Sequence, residues 1–169
     1  MTQYFAQFFT ATVLEWKPLL QQEKYKKIII DSLSFLVKDK RVTIYAFIIM
    51  NNHVHFIWQI QEGFTKEAVQ RDFLKFTAQR IKDDLEKNHQ NVMLLFRVKA
   101  KDRKYQIWER NSLSVDLFSE KIFIQKLNYI HQNPVRAGLC KFPEEYFYSS
   151  IRFYETGRDD FGFLTHFRG

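Results

Sequence analysis

The sequence predicts an α+β domain in which a ferredoxin-like antiparallel sheet is packed by helices on one face. Segments with strand-like and helix-like spacing follow one another in the order strand, helix, strand, strand, helix, strand, helix. The length of 169 residues fits one domain, and 46% hydrophobic residues suffice for a sizeable core. We therefore treat residues 1–169 as a single domain, with a core of roughly residues 4–154 and a C-terminal extension, residues 155–169.

Local patterns define the first half of this element order. The segment from Tyr4 to Trp16 is rich in Phe, Thr and Val, which favours a strand, and Leu19 to Val37 has apolar residues at helical spacing. Arg41 to Met50 is apolar on both faces, as expected of a central strand. Asn51-Asn52 then supplies a turn, because asparagine tolerates left-handed backbone angles, and His53 to Ile60 is the next strand.

The second half follows from helical periodicity and capping signals. A polar helix is predicted from about Thr65 to Lys87, and its expected buried stripe is Val69, Phe73, Phe76 and Ile81. Tyr105 to Trp108 indicates a short strand. Ser119 is a suitable N-cap for a helix that runs to about Asn133 and ends there, because Pro134 disfavours helical angles at the residue before it.

Composition restricts partners and location. A formal net charge of +7 and a pI near 9.4 indicate a polyanionic partner, with nucleic acid and an acidic membrane surface as the two candidates. The lone Cys140 excludes an internal disulfide and a cysteine-rich zinc site. No apolar run approaches the roughly 18 residues that span a bilayer, and the N-terminus lacks signal-peptide features. We expect a cytoplasmic protein.

Two histidines in the third strand form the first candidate site. Strand alternation places His53 and His55 on one face, whereas the other face, with Val54, Phe56 and Trp58, is wholly apolar. Two neutral imidazoles at this spacing can coordinate one metal ion, provided that further ligands come from elsewhere in the chain. The alternative is a pair of surface histidines on an amphipathic strand.

The last predicted helix supplies a second candidate site. Tyr129 and Asn133 are four residues apart and therefore lie on one helical face. A phenol is a poor nucleophile at neutral pH, but beside a metal ion that polarises a phosphodiester it can attack phosphorus. The Asn133 carbonyl oxygen could be a third metal ligand. Alternatively, Tyr129 is a half-buried ring and Asn133 a residue that ends the helix, while His131 is structural or contacts DNA.

Three ordered motifs resemble one protein family. The run from Tyr45 to Trp58, YAFIIMNNHVHFIW, resembles the His-hydrophobic-His strand of the IS200/IS605-like (Y1) transposases. The run from Tyr129 to Leu139, YIHQNPVRAGL, resembles the downstream helix of their REP-associated tyrosine transposase branch, and Phe147 to Ser150, FYSS, the element that follows. The similarity extends from about Tyr4 to Tyr154.

The resemblance implies a ferredoxin-like HUH nuclease. His53 and His55 would bind Mg²⁺ or Mn²⁺, with Asn133 as the further ligand, and Tyr129 would be the nucleophile. The implied reaction cleaves single-stranded DNA, leaves a 5′-phosphotyrosine and a free 3′-hydroxyl, and allows the strand to be rejoined elsewhere. The IS200 type has Gln where this chain has Asn133, although the REP-associated branch often shows Asn there.

Further implications concern partners and location. Family members recognise hairpin DNA, and some act as homodimers that exchange the tyrosine helix while others act as monomers. A nucleoid-associated cytoplasmic protein is expected. We predict phosphate contacts from basic residues of the second helix and of the stretch after it, for each of which a solvated surface role is the alternative: Lys75, Arg80, Arg97, Lys99, Lys101, Arg103 and Lys104.

Two other function classes remain at this point. A domesticated DNA- or RNA-binding protein of the same fold would have lost cleavage, and it would not require the trio of His53, His55 and Tyr129. A metal-dependent hydrolase would use the histidines to activate water. That class would need carboxylate ligands, and no acidic residue flanks the histidine strand.

Overall fold

The computed structural model describes residues 5–169 and has the predicted α+β fold. Four antiparallel strands form one sheet: β1 (Ala6–Thr12), β2 (Val42–Ile49), β3 (His53–Ile60) and β4 (Leu113–Asp116). Their order, β2-β3-β1-β4, is that of the ferredoxin-like fold. The helices are α1 (Glu23–Lys38), α2 (Lys66–Asn88), α3 (Gln90–Met93), α4 (Glu120–Arg136) and α5 (Ile151–Thr156). The predicted start of the first strand at Tyr4 lies outside the described residues.

Helices cover both faces of the sheet. The predicted helical layer is formed by α1 and α2, whose apolar residues pack with Phe9, Phe56 and Trp58 on one face. The helix α4 packs on the opposite face, where Leu127 and Ile130 contact apolar residues of β1, β2 and β3. The second layer explains why β3 is buried on both sides. Among residues 5–169, no helix is both long and apolar enough to cross a bilayer.

The strand β2 lies at the edge of the sheet, so the prediction of a central strand from Arg41 to Met50 was wrong. Its two apolar faces arise because α1 packs against one side and α4 against the other. The outer edge is nevertheless covered by the C-terminal part of the chain. Backbone hydrogen bonds join Ile49 to Tyr148, Phe47 to Ser150, and Ile44 to Thr165.

The fourth strand lies later in the chain than predicted. Tyr105 to Trp108 is extended but forms only isolated bridges, from Tyr105 to Arg97 and from Trp108 to Val13. The fourth strand is β4, which pairs with β1 through residues Gln7 to Thr10. The strand β4 alternates between apolar and polar residues, but over only four residues, which is a weak signal for a strand.

The helix α4 does not end before Pro134, as predicted, but continues to Arg136. Proline lacks a backbone N–H, and near the end of a helix this removes one hydrogen bond without breaking the turns that precede it. Backbone bonds from Ala137 to Asn133 and from Leu139 to Pro134 then close the helix. Gly138 follows with φ of 75°, a left-handed angle that favours glycine.

The buried stripe of α2 differs from the prediction at one position. Val69, Phe73 and Ile81 are buried as predicted, but Phe76 is 46% exposed and Thr77 is buried instead. The Thr77 hydroxyl donates to the Phe73 carbonyl at 2.8 Å and accepts from the Trp108 indole at 3.0 Å. These two bonds allow a polar residue to occupy the core position.

A buried polar contact fixes α4 to the edge of the sheet. His131 is buried, and its Nε2 shares a hydrogen bond of 2.8 Å with Oγ of Ser150. The same oxygen accepts from the Phe47 amide at 3.1 Å. His131 is therefore a structural residue, one of the two roles that the sequence left open. It joins the tyrosine helix, the FYSS element and β2.

We expect Phe73→Ala to destabilise the protein by about 3–5 kcal/mol, as is usual for a large core aromatic. Phe73 is 1% exposed and packs edge-on against Phe9, Phe56 and Trp58. The matched control Phe76→Ala, on the same helix, should cost less than about 1 kcal/mol. Urea unfolding measures both. Equal losses would contradict the placement of α2.

We expect Ser150→Ala to lower the free energy of unfolding by about 1–3 kcal/mol, because it leaves His131 and the Phe47 amide without a buried partner. The control is Ser34→Ala in α1, where a half-exposed serine is replaced by a good helix former. Thermal and urea unfolding should show a loss of stability only for Ser150→Ala, and an unchanged transition in that variant would refute the anchoring role.

Candidate active site

The four residues predicted from the two motifs converge at one place. The ring centroids of His53 and His55 are 4.8 Å apart, and those of His55 and Tyr129 are 5.5 Å apart. The Asn133 side-chain nitrogen lies 3.3 Å from Nε2 of His53. Residues separated by more than seventy positions in the sequence thus form one cluster between β3 and α4.

Local structure explains this convergence. Alternation along β3 turns Val54 and Phe56 into the main core and directs His53 and His55 to the α4 side. In α4, Tyr129 and Asn133 are one turn apart on the face next to the histidines. The adjacent apolar stripe of this helix packs on the sheet and sets the distance between the two motifs.

The proton of His53 can be assigned from its hydrogen bonds. Its Nδ1 lies 2.7 Å from Oδ1 of Asn52, and a carbonyl oxygen only accepts, so Nδ1 carries the proton. The Nε2 atom then has a free lone pair, which faces the Asn133 amide. Asn52 therefore holds the imidazole in the tautomer that a metal ligand needs.

His55 is held by the neighbouring strand β1. Thr10 is its direct partner in the antiparallel pairing, and the Thr10 hydroxyl lies 2.7 Å from Nδ1 of His55. The Phe8 ring stacks on the imidazole with centroids 5.1 Å apart. These contacts use Nδ1 and one ring face, so Nε2 of His55 is the nitrogen left for a ligand.

Burial keeps both histidines neutral. Loss of water contact lowers the pKa of His53 to about 4. The pKa of His55 is lowered to about 3, first by burial and then by repulsion from His53 when that ring is protonated and from the charges of Arg136 and Lys126. At neutral pH both imidazoles therefore offer lone pairs and not charges, as coordination requires.

The donor set suits a divalent metal with open coordination positions. The two imidazole rings lie side by side, the Asn133 amide contacts Nε2 of His53, and a rotation of this amide by half a turn would present its oxygen instead. Within residues 5–169, no group of three or more His, Cys, Asp or Glu side chains could hold a metal. A metal here would thus depend on neutral protein ligands, with water or substrate oxygens completing its shell.

Tyr129 is accessible and has two cations beside it. Its side chain is 44% exposed, and the guanidinium carbon of Arg136 lies 4.3 Å from the ring centroid. Arg136 also donates to the Tyr129 backbone carbonyl at 2.7 Å. The Lys126 ammonium lies 5.8 Å from the same ring. In the described part of the chain neither cation forms an ion pair with a carboxylate, so both charges remain available to an anion.

The predicted DNA-contacting residues lie on two other segments, the helix α2 and a hairpin that follows it. Lys75 and Arg80 are exposed on α2, which packs on the sheet face opposite to α4. Residues 97–105 form a hairpin closed by a bond from Val98 to Lys104, on which Arg97, Lys99, Lys101, Arg103 and Lys104 are exposed. The segment after the hairpin runs along Val13 at the His53 end of β3. Their binding of DNA remains a prediction.

Several residues of the site were missed by sequence reasoning. Thr10 could not be found, because its contact with His55 depends on strand pairing over 45 positions. Asn52 was assigned only to a turn, although it directly precedes His53. Lys126 and Arg136 are one turn before and two turns after Tyr129, so helical spacing could have found both.

Comparison with known proteins identifies relatives in sequence and in fold. No protein-family model matches the chain. A Haemophilus influenzae protein provisionally assigned as a REP-associated tyrosine transposase is 29% identical over 110 residues, which cover 63% of this chain. The matched part spans only 57% of that relative's length.

Two solved structures have a similar fold. A REP-associated tyrosine transposase bound to a REP hairpin superposes with a TM-score of 0.69 at 18% identity, covering 98% of this chain and 90% of its own. A crystal structure from Deinococcus radiodurans, provisionally described as a transposase, has a TM-score of 0.52 at 13% identity, covering 77% of this chain and 91% of its own. At these identities the structures show the shared fold alone. Together with the motifs and the sequence match, they confirm the predicted resemblance: the chain is similar to REP-associated tyrosine transposases in sequence and in fold.

Proposed function

We propose that the chain is a single-stranded DNA endonuclease and strand transferase with Tyr129 as its nucleophile. One observation carries this proposal: an accessible phenol lies against a pair of neutral imidazoles, one buried and one partly buried, with two cations at its ring that form no ion pair in the described part of the chain. This arrangement combines a nucleophile, donors for a metal and positive charge for a phosphate. A protein that only binds DNA needs no such combination.

The proposed reaction exchanges one phosphodiester for another. The Tyr129 oxygen forms a bond to phosphorus, the bond from phosphorus to the 3′-oxygen breaks, and the 3′-oxygen gains the proton that the phenol loses. The product is a 5′-phosphotyrosine with a free 3′-hydroxyl on the other fragment. A later attack by a 3′-hydroxyl on the phosphotyrosine restores the phosphodiester and the phenol. No external energy source is required, because each step replaces one phosphate ester bond by another.

The residues that would hold Mg²⁺ or Mn²⁺ are His53 and His55 through Nε2, and Asn133 through its amide oxygen. A bound divalent ion would neutralise negative charge on the scissile phosphate. Asn52 and Thr10 keep the two imidazoles oriented through their Nδ1 atoms. Because Asn133 has a shorter side chain than the Gln of the IS200 type, its reach depends on the position of α4, which the bond from His131 to Ser150 fixes.

The cations beside Tyr129 would contact the phosphate. Arg136 and Lys126 lie beside the Tyr129 ring, and both lower the pKa of His55 electrostatically. A phosphate attacked by Tyr129 would therefore lie close to both cations. Positive charge placed there stabilises the negative charge that develops in the transition state. The backbone bond from Arg136 to Tyr129 keeps the guanidinium in place before DNA arrives.

The proposed substrate is DNA with a hairpin and an unpaired strand. Support comes from the structural relative that is bound to a REP hairpin, together with the net charge of +7. A water-activating hydrolase is less well supported, because within residues 5–169 no acidic side chain joins the histidines as a metal ligand.

The proposal predicts a covalent adduct that depends on Tyr129. Wild-type protein incubated with labelled hairpin and single-stranded DNA and Mn²⁺ should give a labelled band on a denaturing protein gel. Chelator should abolish the band, and Tyr129→Phe should reduce it at least about 1,000-fold, because phenylalanine has no nucleophilic oxygen. Tyr105→Phe, which removes a hydroxyl outside the site, serves as the control and should retain the adduct.

Three results would contradict the assignment. Cleavage without an adduct, unchanged in Tyr129→Phe, would indicate a hydrolase that activates water. Adduct formation by Tyr129→Phe would show that another residue is the nucleophile. Binding without cleavage, on hairpin DNA that contains the sequence recognised by the protein, would favour a domesticated binding protein.

Two buried histidines, His55 and His131, and the partly buried His53 predict acid destabilisation of the metal-free protein. His131 also has its pKa lowered to about 4 by burial, in addition to the lowered values of His53 and His55. The histidines of the unfolded protein take up protons below about pH 6.5, whereas those of the folded protein do not. The free energy of unfolding is therefore highest above that pH and falls as the pH decreases toward 4. Each histidine contributes a slope of about 1.4 kcal/mol per pH unit.

Urea unfolding in the presence of chelator at pH 7, 6 and 5 measures this slope. The interval lies above the range in which ordinary carboxyl groups titrate, so the histidines account for most of the change in the free energy of unfolding. We expect a clear loss of stability at each step. A constant free energy of unfolding from pH 7 to pH 5 would mean that the imidazoles are not buried as described.

A further inference from the structure

An exposed tryptophan stands next to the histidine pair. Trp16 is 61% exposed, whereas the other two tryptophans, Trp58 and Trp108, are 0% and 5% exposed. The Trp16 and His53 rings meet edge to face with centroids 5.8 Å apart. A large aromatic surface is thus presented to solvent at the edge of the candidate active site, where it contributes little to the core.

The backbone that presents this ring is strained. Glu15 and Trp16 have φ angles of 53° and 58°, so two consecutive residues other than glycine occupy the left-handed region. Such residues are costly, and they persist where surrounding contacts hold them. The Glu15 amide donates to Glu109 at 2.6 Å, and the Trp16 amide donates to the Val13 carbonyl at 2.9 Å. The fold therefore keeps the ring in place at a cost in stability.

Asn52 connects this segment with the site. Its side-chain nitrogen donates to the Trp16 carbonyl at 3.5 Å, and its side-chain oxygen accepts from Nδ1 of His53 at 2.7 Å. One amide group therefore positions both the tryptophan backbone and the imidazole. The residue that sets the His53 tautomer thus also contacts the Trp16 backbone, and the Trp16 ring itself lies against the His53 ring.

We propose that Trp16 is a stacking platform for an unpaired base of the DNA strand whose phosphate lies at the site. This inference rests on the proposed function. Unpaired bases expose flat π-faces, and exposed aromatic side chains bind them by stacking with little sequence preference. A base next to the scissile phosphate would lie beside His53, where the Trp16 ring is the exposed aromatic surface. Stacking there would hold the strand in register with Tyr129.

The test measures binding without cleavage. The Tyr129→Phe protein in chelator is titrated with a labelled hairpin that has a single-stranded tail, and with the same hairpin lacking the tail. Because Trp58 and Trp108 are buried, quenching of tryptophan fluorescence on binding reports on Trp16. We expect quenching with the tailed hairpin, and none when Trp16→Phe is added to the background.

The variant Trp16→Ala should weaken binding of the tailed hairpin roughly fivefold to 100-fold, the range expected for one stacked base. Phe118→Ala is the matched control, because Phe118 is 68% exposed but follows β4 at the other end of the sheet. It should leave affinity unchanged. Trp16→Gly should weaken binding as Trp16→Ala does, while its urea midpoint does not fall, because glycine adopts the left-handed angle without strain.

Abasic substitutions in the tail separate stacking from a structural role. At the position of the stacked base, removal of the base should weaken DNA binding by the protein that retains Trp16. On this abasic tail, Trp16→Ala should cause no further loss of affinity. If Trp16→Ala leaves affinity unchanged, or weakens every abasic tail equally, the inference is wrong. If the wild type forms the adduct but Trp16→Ala does not change the affinity for the tailed hairpin, the stacking role of Trp16 is refuted and the tyrosine chemistry is not. If tryptophan fluorescence is quenched only when the base is present, but the wild type forms no adduct, the tyrosine chemistry is refuted and the stacking role of Trp16 is not.

Discussion

The placement of β3 between two helical layers is the constraint on which the rest of the structure depends. Its alternation sends Val54, Phe56 and Trp58 into the main core, where they pack under α1 and α2. The other face carries His53 and His55 and is covered by α4. A slip of one residue in this strand would bury the histidines in the main core and break both layers at once. The same pattern thus fixes the fold and the site.

Much of this arrangement could be predicted because it is local. The boundaries of β3 and α2, the Ser119 cap of α4, and the spacing of Tyr129 and Asn133 follow from periodicity and capping. Family resemblance added the relation between the two motifs, which spacing alone could not supply. The structure then brings His53, His55, Tyr129 and Asn133 together as a group.

What the sequence did not predict depends on contacts between distant segments. The bond from Thr10 to His55 requires the pairing of β1 with β3, and the position of β2 at the edge follows from an order that no single segment encodes. The helix through Pro134 shows that tertiary packing outweighs a local preference. The angles at Glu15 and Trp16 oppose local preference altogether, which is typical of residues retained for a site.

The C-terminal residues have a consequence for how copies of this chain meet. Residues 148–150 and 164–165 occupy the backbone groups along the outer side of β2, and Phe163 completes the core beneath them. An uncovered strand edge recruits strands from other molecules, and this one is already occupied. The sheet can therefore be extended only from β4, which offers four residues. Strand pairing between two copies of the chain through β2 is therefore blocked by residues of the chain itself.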